Sequence, residues 1–324
     1  MSSVAVIGAG AWGTALAIQA ARAGDDVVLW ARDPTNAAAI EQSRVTARLP
    51  GVRLPGTIRV TADLPHHADF VLVAVPMQHM RGVVASLALG SAPMIVCAKG
   101  VEAGTLLLPL EVIAELQPAT PAVVLTGPNF AHEVAAGLPA ASVVAGGDAA
   151  VRGAVTARLA TPAFRLYGND DPIGAQIGGA AKNVIAIAAG AVIGAGLGEN
   201  ARAAVITRGL AELGRLVVAL GGRQETVMGL SGLGDLLLTC TGPASRNFSL
   251  GLALGRGEAL ADILAHRQAV TEGVTTAPAL VERARQASGT VDLPICGVVA
   301  DFLAGHTTLA QAMADLLARP RRDE

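Results

Sequence analysis

The sequence predicts an α/β, doubly wound N-terminal domain (residues 1–170) followed by an all-α C-terminal domain (residues 171–324). Three observations carry this reading. The first half alternates short, continuously apolar runs with segments of helical period. Such runs suit parallel strands covered by helices on both faces. Beyond Asn169 no convincing strand pattern appears. A chain of 324 residues is also longer than one core usually supports, which favours two domains.

In order, Val4–Ile7 reads as a strand, followed by glycines and a helix over Thr14–Ala23. Further strands are expected at Asp26–Trp30, Phe70–Val75, Met94–Cys97 and Ala122–Leu125, with Ser142–Ala145 and Phe164–Tyr167 extending the sheet. The polar cluster Asn169-Asp170-Asp171-Pro172 looks like a helix start. Helices are then expected over Ile173–Ala191, Asn200–Leu220, Thr276–Ala287, Pro294–Leu303 and Thr308–Ala318.

Composition narrows the function. A formal net charge of −2 with no basic cluster argues against a nucleic-acid partner, because such binding relies on neutralising phosphates. The uncharged stretch Asn183–Gly198 is rich in Ala and Gly and shorter than the ~20 strongly apolar residues of a membrane span. It reads as a buried helix of small residues that lets neighbours approach closely. The opening Met1-Ser2-Ser3-Val4 lacks a positive n-region, so no signal peptide is expected. Cys97, Cys240 and Cys296 are odd in number and widely spaced, as in a cytoplasmic protein. No histidine pair has metal-ligand spacing, so no metal is expected. Of the 24 basic residues, only Lys99 and Lys182 are lysines. A nucleotide-composition bias explains the excess of Arg, and it makes the two retained lysines worth following.

Gly8-Ala9-Gly10-Ala11-Trp12-Gly13 is a G-x-G-x-x-G between a strand and a helix, inside a βαβ unit. That context turns a weak motif into a Rossmann dinucleotide site. Gly8 makes the tight turn, Gly10 admits a pyrophosphate, and Gly13 lets the helix sit close to the strand. The helix N-terminus attracts the phosphates. After the second strand, Arg32 offers charge-assisted bonds to a 2′-phosphate, while Asp33 is suited to ribose hydroxyls. The reading leans to NADP(H) and leaves NAD(H) open; Arg32 as a solvated surface charge is the competing view.

Further motifs end strands or open the helical half. They are Cys97-Ala98-Lys99-Gly100, Leu125 through Glu133, Ala181-Lys182-Asn183-Val184, Gly229 through Leu236 followed by Thr239-Cys240-Thr241, Ser245-Arg246-Asn247 and Val270-Thr271-Glu272-Gly273. With the glycine-rich opening, this ordered set resembles bacterial NAD(P)-dependent glycerol-3-phosphate dehydrogenase over essentially the whole chain. The resemblance implies reversible reduction of dihydroxyacetone phosphate to sn-glycerol 3-phosphate for phospholipid synthesis. It also implies a helical domain like that of 6-phosphogluconate dehydrogenase. By position, Lys182 resembles the proton donor and acceptor. Lys99 resembles a lysine shared by substrate and cofactor. Gly127, Asn129, Asp235, Ser245, Arg246 and Asn247 resemble substrate contacts. Ala131, Val270 and Glu272, again with Arg246, resemble cofactor contacts beside Gly8, Gly10, Ala11, Trp12, Gly13 and Arg32. Asn129 departs from the Ser or Thr of many relatives, and Ala11 from their Ser.

The chemistry has an argument of its own. As hydride reaches a ketone, its oxygen gains negative charge and needs a proton. Lysine can titrate for that task, whereas arginine stays protonated. On this reading Lys182 is the general acid, Lys99 polarises the carbonyl, and Asn183 helps position the substrate. Asp235 is balanced between orienting an ammonium and capping a helix after Gly234. Ser245-Arg246-Asn247 could gather a phosphate, or Ser245 and Asn247 could simply cap a helix. Glu272 could equally complement a helix dipole. The substrate partner is therefore a small phosphorylated ketone or alcohol. A homodimer through the helical domain and a monomer both fit the composition. The runner-up functions are a related two-domain ketoacid or hydroxyacid reductase and a non-catalytic NAD(P)H sensor.

Overall fold

The computed structural model describes residues 3–267, 270–287 and 291–317. Its contacts divide the chain into two compact units. One comprises residues up to Lys99 with Leu107–Gln176; the other comprises Gly100–Leu106 with the chain from Ile177 onward.

The first unit runs β1 (Ser3–Ile7), α1 (Ala11–Arg22), β2 (Asp26–Trp30), α2 (Pro34–Ser43), β3 (Ile58–Thr61) and β4 (Phe70–Val73). It continues α3 (Met77–Ala85), β5 (Met94–Val96), α4 (Pro109–Leu116), β6 (Ala122–Thr126), α5 (Ala131–Ala136), β7 (Ala140–Ala145), α6 (Ala149–Leu159) and β8 (Phe164–Asn169). The strands form one sheet in the order β3-β2-β1-β4-β5-β6-β7-β8. This is a Rossmann-type sheet, and the order reverses beside β1, where ligands of open α/β sheets bind. Two apolar clusters cover it. One includes Val4, Val6, Leu29 and Leu72; the other includes Ala5, Ile7, Val71 and Val73. Alternate residues of one strand thus feed opposite faces, which is why these strands are apolar throughout.

Two features of the sheet differ from the sequence reading. β3 is absent from it, because Ile-Arg-Val-Thr alternates buried and exposed residues at the sheet's edge. A search for unbroken apolar runs passes over such a strand. β7 also pairs antiparallel with β6, unlike every other neighbouring pair. Continuous apolarity reports burial on both faces and says nothing about strand direction.

α7 (Pro172–Gly194) begins where the polar cluster predicts a start, with Asp171 Oδ1 accepting from the Gly174 N–H at 2.9 Å. There follow α8 (Gly198–Ala219), α9 (Gln224–Val227), a π-helical turn at Leu230–Gly234, α10 (Asp235–Cys240) and α11 (Arg246–Gly255). The remaining helices are α12 (Leu260–Ala265), α13 (Glu272–Arg285), α14 (Pro294–Leu303) and α15 (Leu309–Leu317). Among the described residues the second unit holds no strand. Ala318, the expected end of the last helix, lies outside the described residues. The sequence reading lacks α9 and α12, each six residues or fewer and too short to establish a period, and meets α10 only as one of the two readings of Asp235.

α7 is long and apolar enough to cross a membrane by composition, yet most of that window is buried inside the protein. Its small residues serve close packing. A Cβ on Gly190 would fall on the Phe248 carbonyl, and one on Gly194 on the Leu252 carbonyl. Reciprocally, a Cβ on Gly251 or Gly255 of α11 would strike the Ile187 or Ala191 carbonyl. Glycines four apart on each helix let two backbones meet, in the manner of small-residue helix pairs.

On α8, buried Glu212 accepts from the backbone N–H groups of Ile295 (2.7 Å) and Cys296 (3.2 Å) in the first turn of α14. Burial pushes its pKa from 4.5 up to about 7, against those N–H groups and the Arg215 charge.

Two outcomes follow from this packing. Gly251→Ala should lower stability by about 3 kcal/mol through overpacking, whereas Gly153→Ala, on an exposed stretch of α6 with open space around it, should be neutral or mildly stabilising. Denaturant midpoints check the contrast. Between pH 4.5 and 7 the folded protein holds a proton at Glu212 that the unfolded chain has released. Stability from this group is therefore greatest below the unfolded value and falls as pH rises to 7. The melting temperature should accordingly decline more steeply across that window in the parent than in Glu212→Gln. Parallel profiles would contradict the assignment.

Candidate active site

The predicted site residues divide between the two units. In the first, Gly8 ends β1 with φ +116°, in the left-handed half of backbone space, and its N–H donates to the Trp30 carbonyl at 3.0 Å. A side chain there would crowd Ala74 and Val75. Gly10 precedes α1, and a Cβ on it would meet nothing within 4 Å. Gly13 is packed so closely that a Cβ would strike the Gly8 carbonyl. The N-terminus of α1 carries no side-chain cap and no acidic residue in its first turn. Ala11 and Trp12 sit half-buried in that turn. Open space over a glycine, backbone N–H groups and a helix dipole together fit a dinucleotide pyrophosphate.

At the end of β2, Arg32 is exposed and makes no hydrogen bond or ion pair among the described residues. Asp33 caps α2, accepting from the Asn36 N–H at 2.6 Å. The guanidinium is thus available to a phosphate, while one carboxylate oxygen of Asp33 is already engaged.

Lys99 follows β5, and its Nζ donates to the carbonyl of Gly127 at 3.3 Å. Gly127 closes β6 with φ +139°, and a Cβ there would press on the backbone of Ser142. Asn129 turns its amide toward β7, donating to Ser142 Oγ at 2.6 Å and the Ala141 carbonyl at 3.4 Å. Its Oδ1 is buried without a hydrogen-bond partner. Ala131 is the first residue of α5, beside a stacked Phe130–His132 ring pair.

In the second unit, Lys182 is the one charged residue of α7 and is only 8 % exposed. Its Nζ donates to Asp235 Oδ1 at 2.5 Å and to Thr239 Oγ1 at 3.0 Å. Asp235 is wholly buried and forms the first residue of α10, with Gly234 in the capping position. Thr239 stands one helical turn later and donates its hydroxyl to the Asp235 carbonyl at 2.6 Å. An ammonium at this depth needs a counterion, and Asp235 supplies it. Cys240 lies beside the pair, but burial pushes its thiol up to about 12 despite the Lys182 ammonium. It stays protonated and is no general base.

A second network joins three helices. Asn247 Nδ2 donates to Asn183 Oδ1 at 2.8 Å, and Asn247 Oδ1 accepts from the Gly273 N–H at 3.0 Å. Asn183 is thereby oriented beside Lys182, with its own amide nitrogen pointing away from that bond. Ser245 caps α11, accepting from the Phe248 N–H at 3.2 Å. Its hydroxyl proton remains a donor. Arg246 is exposed at the first turn of α11, and its guanidinium donates to the Val270 carbonyl at 2.8 Å. Glu272 opens α13, a position where a carboxylate also complements the helix dipole. The sequence marks Thr239 only as part of the Thr239-Cys240-Thr241 motif and gives it no role; its i+4 spacing from Asp235 on one helix face is the signal that could have supplied one. One polar contributor escapes the sequence reading altogether. Arg267 is tied to the backbone of Arg246 at 2.7 Å. No cluster of metal-binding side chains occurs among the described residues.

Comparison with known proteins finds relatives over nearly the whole chain. Residues 3–151 match the family described as NAD-dependent glycerol-3-phosphate dehydrogenase N-terminus, and residues 171–314 match the corresponding C-terminus. A glycerol-3-phosphate dehydrogenase [NAD(P)+] of Acidiphilium cryptum is 57% identical, over 99% of this chain and 98% of its own. One from Gluconobacter oxydans is 52% identical over 98% of this chain and 97% of its own. The crystal structure of glycerol-3-phosphate dehydrogenase from Coxiella burnetii superposes with a TM-score of 0.92 at 36% identity, covering 98% of this chain and 99% of that one.

Proposed function

The chain belongs to the NAD(P)-dependent glycerol-3-phosphate dehydrogenase family, and from that membership we propose how its own residues carry the reaction. It is an oxidoreductase that interconverts dihydroxyacetone phosphate and sn-glycerol 3-phosphate with NADP(H) or NAD(H). Residues 1–170 act as the cofactor domain and residues 171–324 as the substrate and catalytic domain.

Gly8, Gly10, Ala11, Trp12 and Gly13 hold the dinucleotide, with Arg32 toward the adenosine ribose and its 2′ position. When bound, the nicotinamide supplies and accepts the hydride. Lys182 gives its Nζ proton to the substrate oxygen during reduction and takes it back during oxidation. Asp235 and Thr239 fix that Nζ, so little reorganisation is needed as charge develops. Asn183, oriented by Asn247, hydrogen-bonds the substrate. Lys99, Gly127 and Asn129 contribute further contacts from the β5 and β6 ends. Ser245, Arg246 and Asn247 hold the phosphoryl group, and this remote binding energy orients the reacting carbonyl. By family position, Lys99 and Ala131 of the first unit, and separately Arg246, Val270 and Glu272 of the second, are assigned to cofactor binding.

The observation that supports this assignment is the buried Lys182–Asp235 pair, in a helix otherwise free of charge. We place the enzyme in the cytoplasm, where its three buried cysteine thiols stay free. Lys182→Met should reduce kcat by roughly 10²–10⁴-fold while the Kd for NADPH changes little. NADPH oxidation with dihydroxyacetone phosphate, alongside cofactor fluorescence titration, measures both. Activity near the parent value with cofactor affinity intact would remove Lys182 from this role.

A further inference from the structure

Arg267 stands just beyond α12 and is held by three acceptors. Its Nη1 donates to the Arg246 carbonyl at 2.7 Å and to Thr271 Oγ1 at 3.4 Å, and its Nη2 to Ser249 Oγ at 3.0 Å. Arg246 in turn reaches back to the Val270 carbonyl at 2.8 Å. The first turn of α11 and the segment leading into α13 are therefore cross-tied by two guanidinium groups. Both are permanently charged in the working range. Burial and the neighbouring Arg246 charge pull the Arg267 pKa down, with Glu258 opposing them. Two cations gathered at a helix N-terminus that has no acidic residue in its first turn repel each other. A neutral donor would tie the same three acceptors without that repulsion. Beyond the partial offset from Glu258, the second charge gains when a further anion joins it.

We propose that Arg267 is a further specificity-determining residue, a second fixed cation that makes the Arg246 site select a doubly charged phosphoryl group. The proposal rests on Arg246 as the contact for the substrate phosphate. Arg267 acts by holding the Arg246 backbone in place and by adding positive potential, while Arg246 makes the direct contact. Phosphate oxygens could belong to the substrate or to the cofactor, and the substrate is the assigned source.

The test uses the full-length enzyme with Arg267→Gln, Arg267→Lys and Arg246→Ala. For each, kcat/KM is measured with dihydroxyacetone phosphate and with unphosphorylated dihydroxyacetone. Inhibition by inorganic phosphate and the Kd for NADPH are measured in parallel. Arg267→Gln keeps a donor and removes the charge. It should lower the preference for the phosphorylated ketone about tenfold and weaken phosphate inhibition to a similar extent, as expected for one charge at short range under partial screening. Arg267→Lys should stay within about threefold of the parent. The Kd for NADPH should be unchanged in both. Equal losses on the two ketones would reduce Arg267 to a structural tie and overturn the proposal. A loss confined to NADPH binding would overturn it in favour of a cofactor phosphate. If Arg246→Ala abolishes the preference while Arg267→Gln leaves it intact, only the role of Arg267 fails. If Arg246→Ala leaves the preference intact, the reading of Arg246 fails and the proposal with it.

Discussion

A single ammonium buried in a charge-free helix governs the architecture of the helical half. Lys182 sits on α7 between glycine and alanine surfaces that admit other backbones at close range. An unpaired charge at that depth would be severely penalised, so a carboxylate has to be delivered to it. The π-helical turn Leu230–Gly234 and α10 perform the delivery. Gly178 on α7 lets the Ser231 backbone pass nearby, and Asp235 follows within one turn. In the proposed mechanism the pair then serves proton transfer, because a fixed Nζ can give up a proton without first being reoriented. α11, which abuts α7 through its own glycines, brings Asn247 to Asn183 and places Ser245 and Arg246 in its first turn.

Much of this was legible in the sequence because the signals were those of burial and punctuation. Unbroken apolar runs marked β1, β2, β4, β5 and β6. The glycine spacing marked the turn into α1, and Asp171-Pro172 marked the start of α7. The Ala and Gly of α7 correctly announced close packing. β3 was hidden because an edge strand wets one face, and the reversed direction of β7 leaves no trace in residue type. α9 and α12 were hidden because periodicity needs more turns than they possess.

The site was legible as a set of residue types and much less as a set of pairings. Lys182 stood out because a chain that uses arginine almost everywhere kept a lysine there. Thr239 was visible as part of a motif but not as the partner of Lys182, since a threonine in a short helix has many ordinary reasons to be present. Asp235 could be read two ways, and only the fold shows that Gly234 occupies the capping position while the carboxylate turns to Lys182. Ser245 performs the capping that competed with its ligand role, and its remaining proton lets both readings coexist. Arg267 gave no signal because it lies outside any motif and meets Arg246 only through the fold.

The central claim is that Asp235 serves catalysis through Lys182. A double-mutant cycle on kcat with Lys182→Met, Asp235→Asn and the double variant addresses it directly. If Asp235 acts by holding the Lys182 ammonium, Asp235→Asn slows the parent enzyme but adds nothing once Lys182 is methionine. If Asp235→Asn slows the Lys182→Met enzyme by the same factor as the parent, the two residues act independently and the account is contradicted.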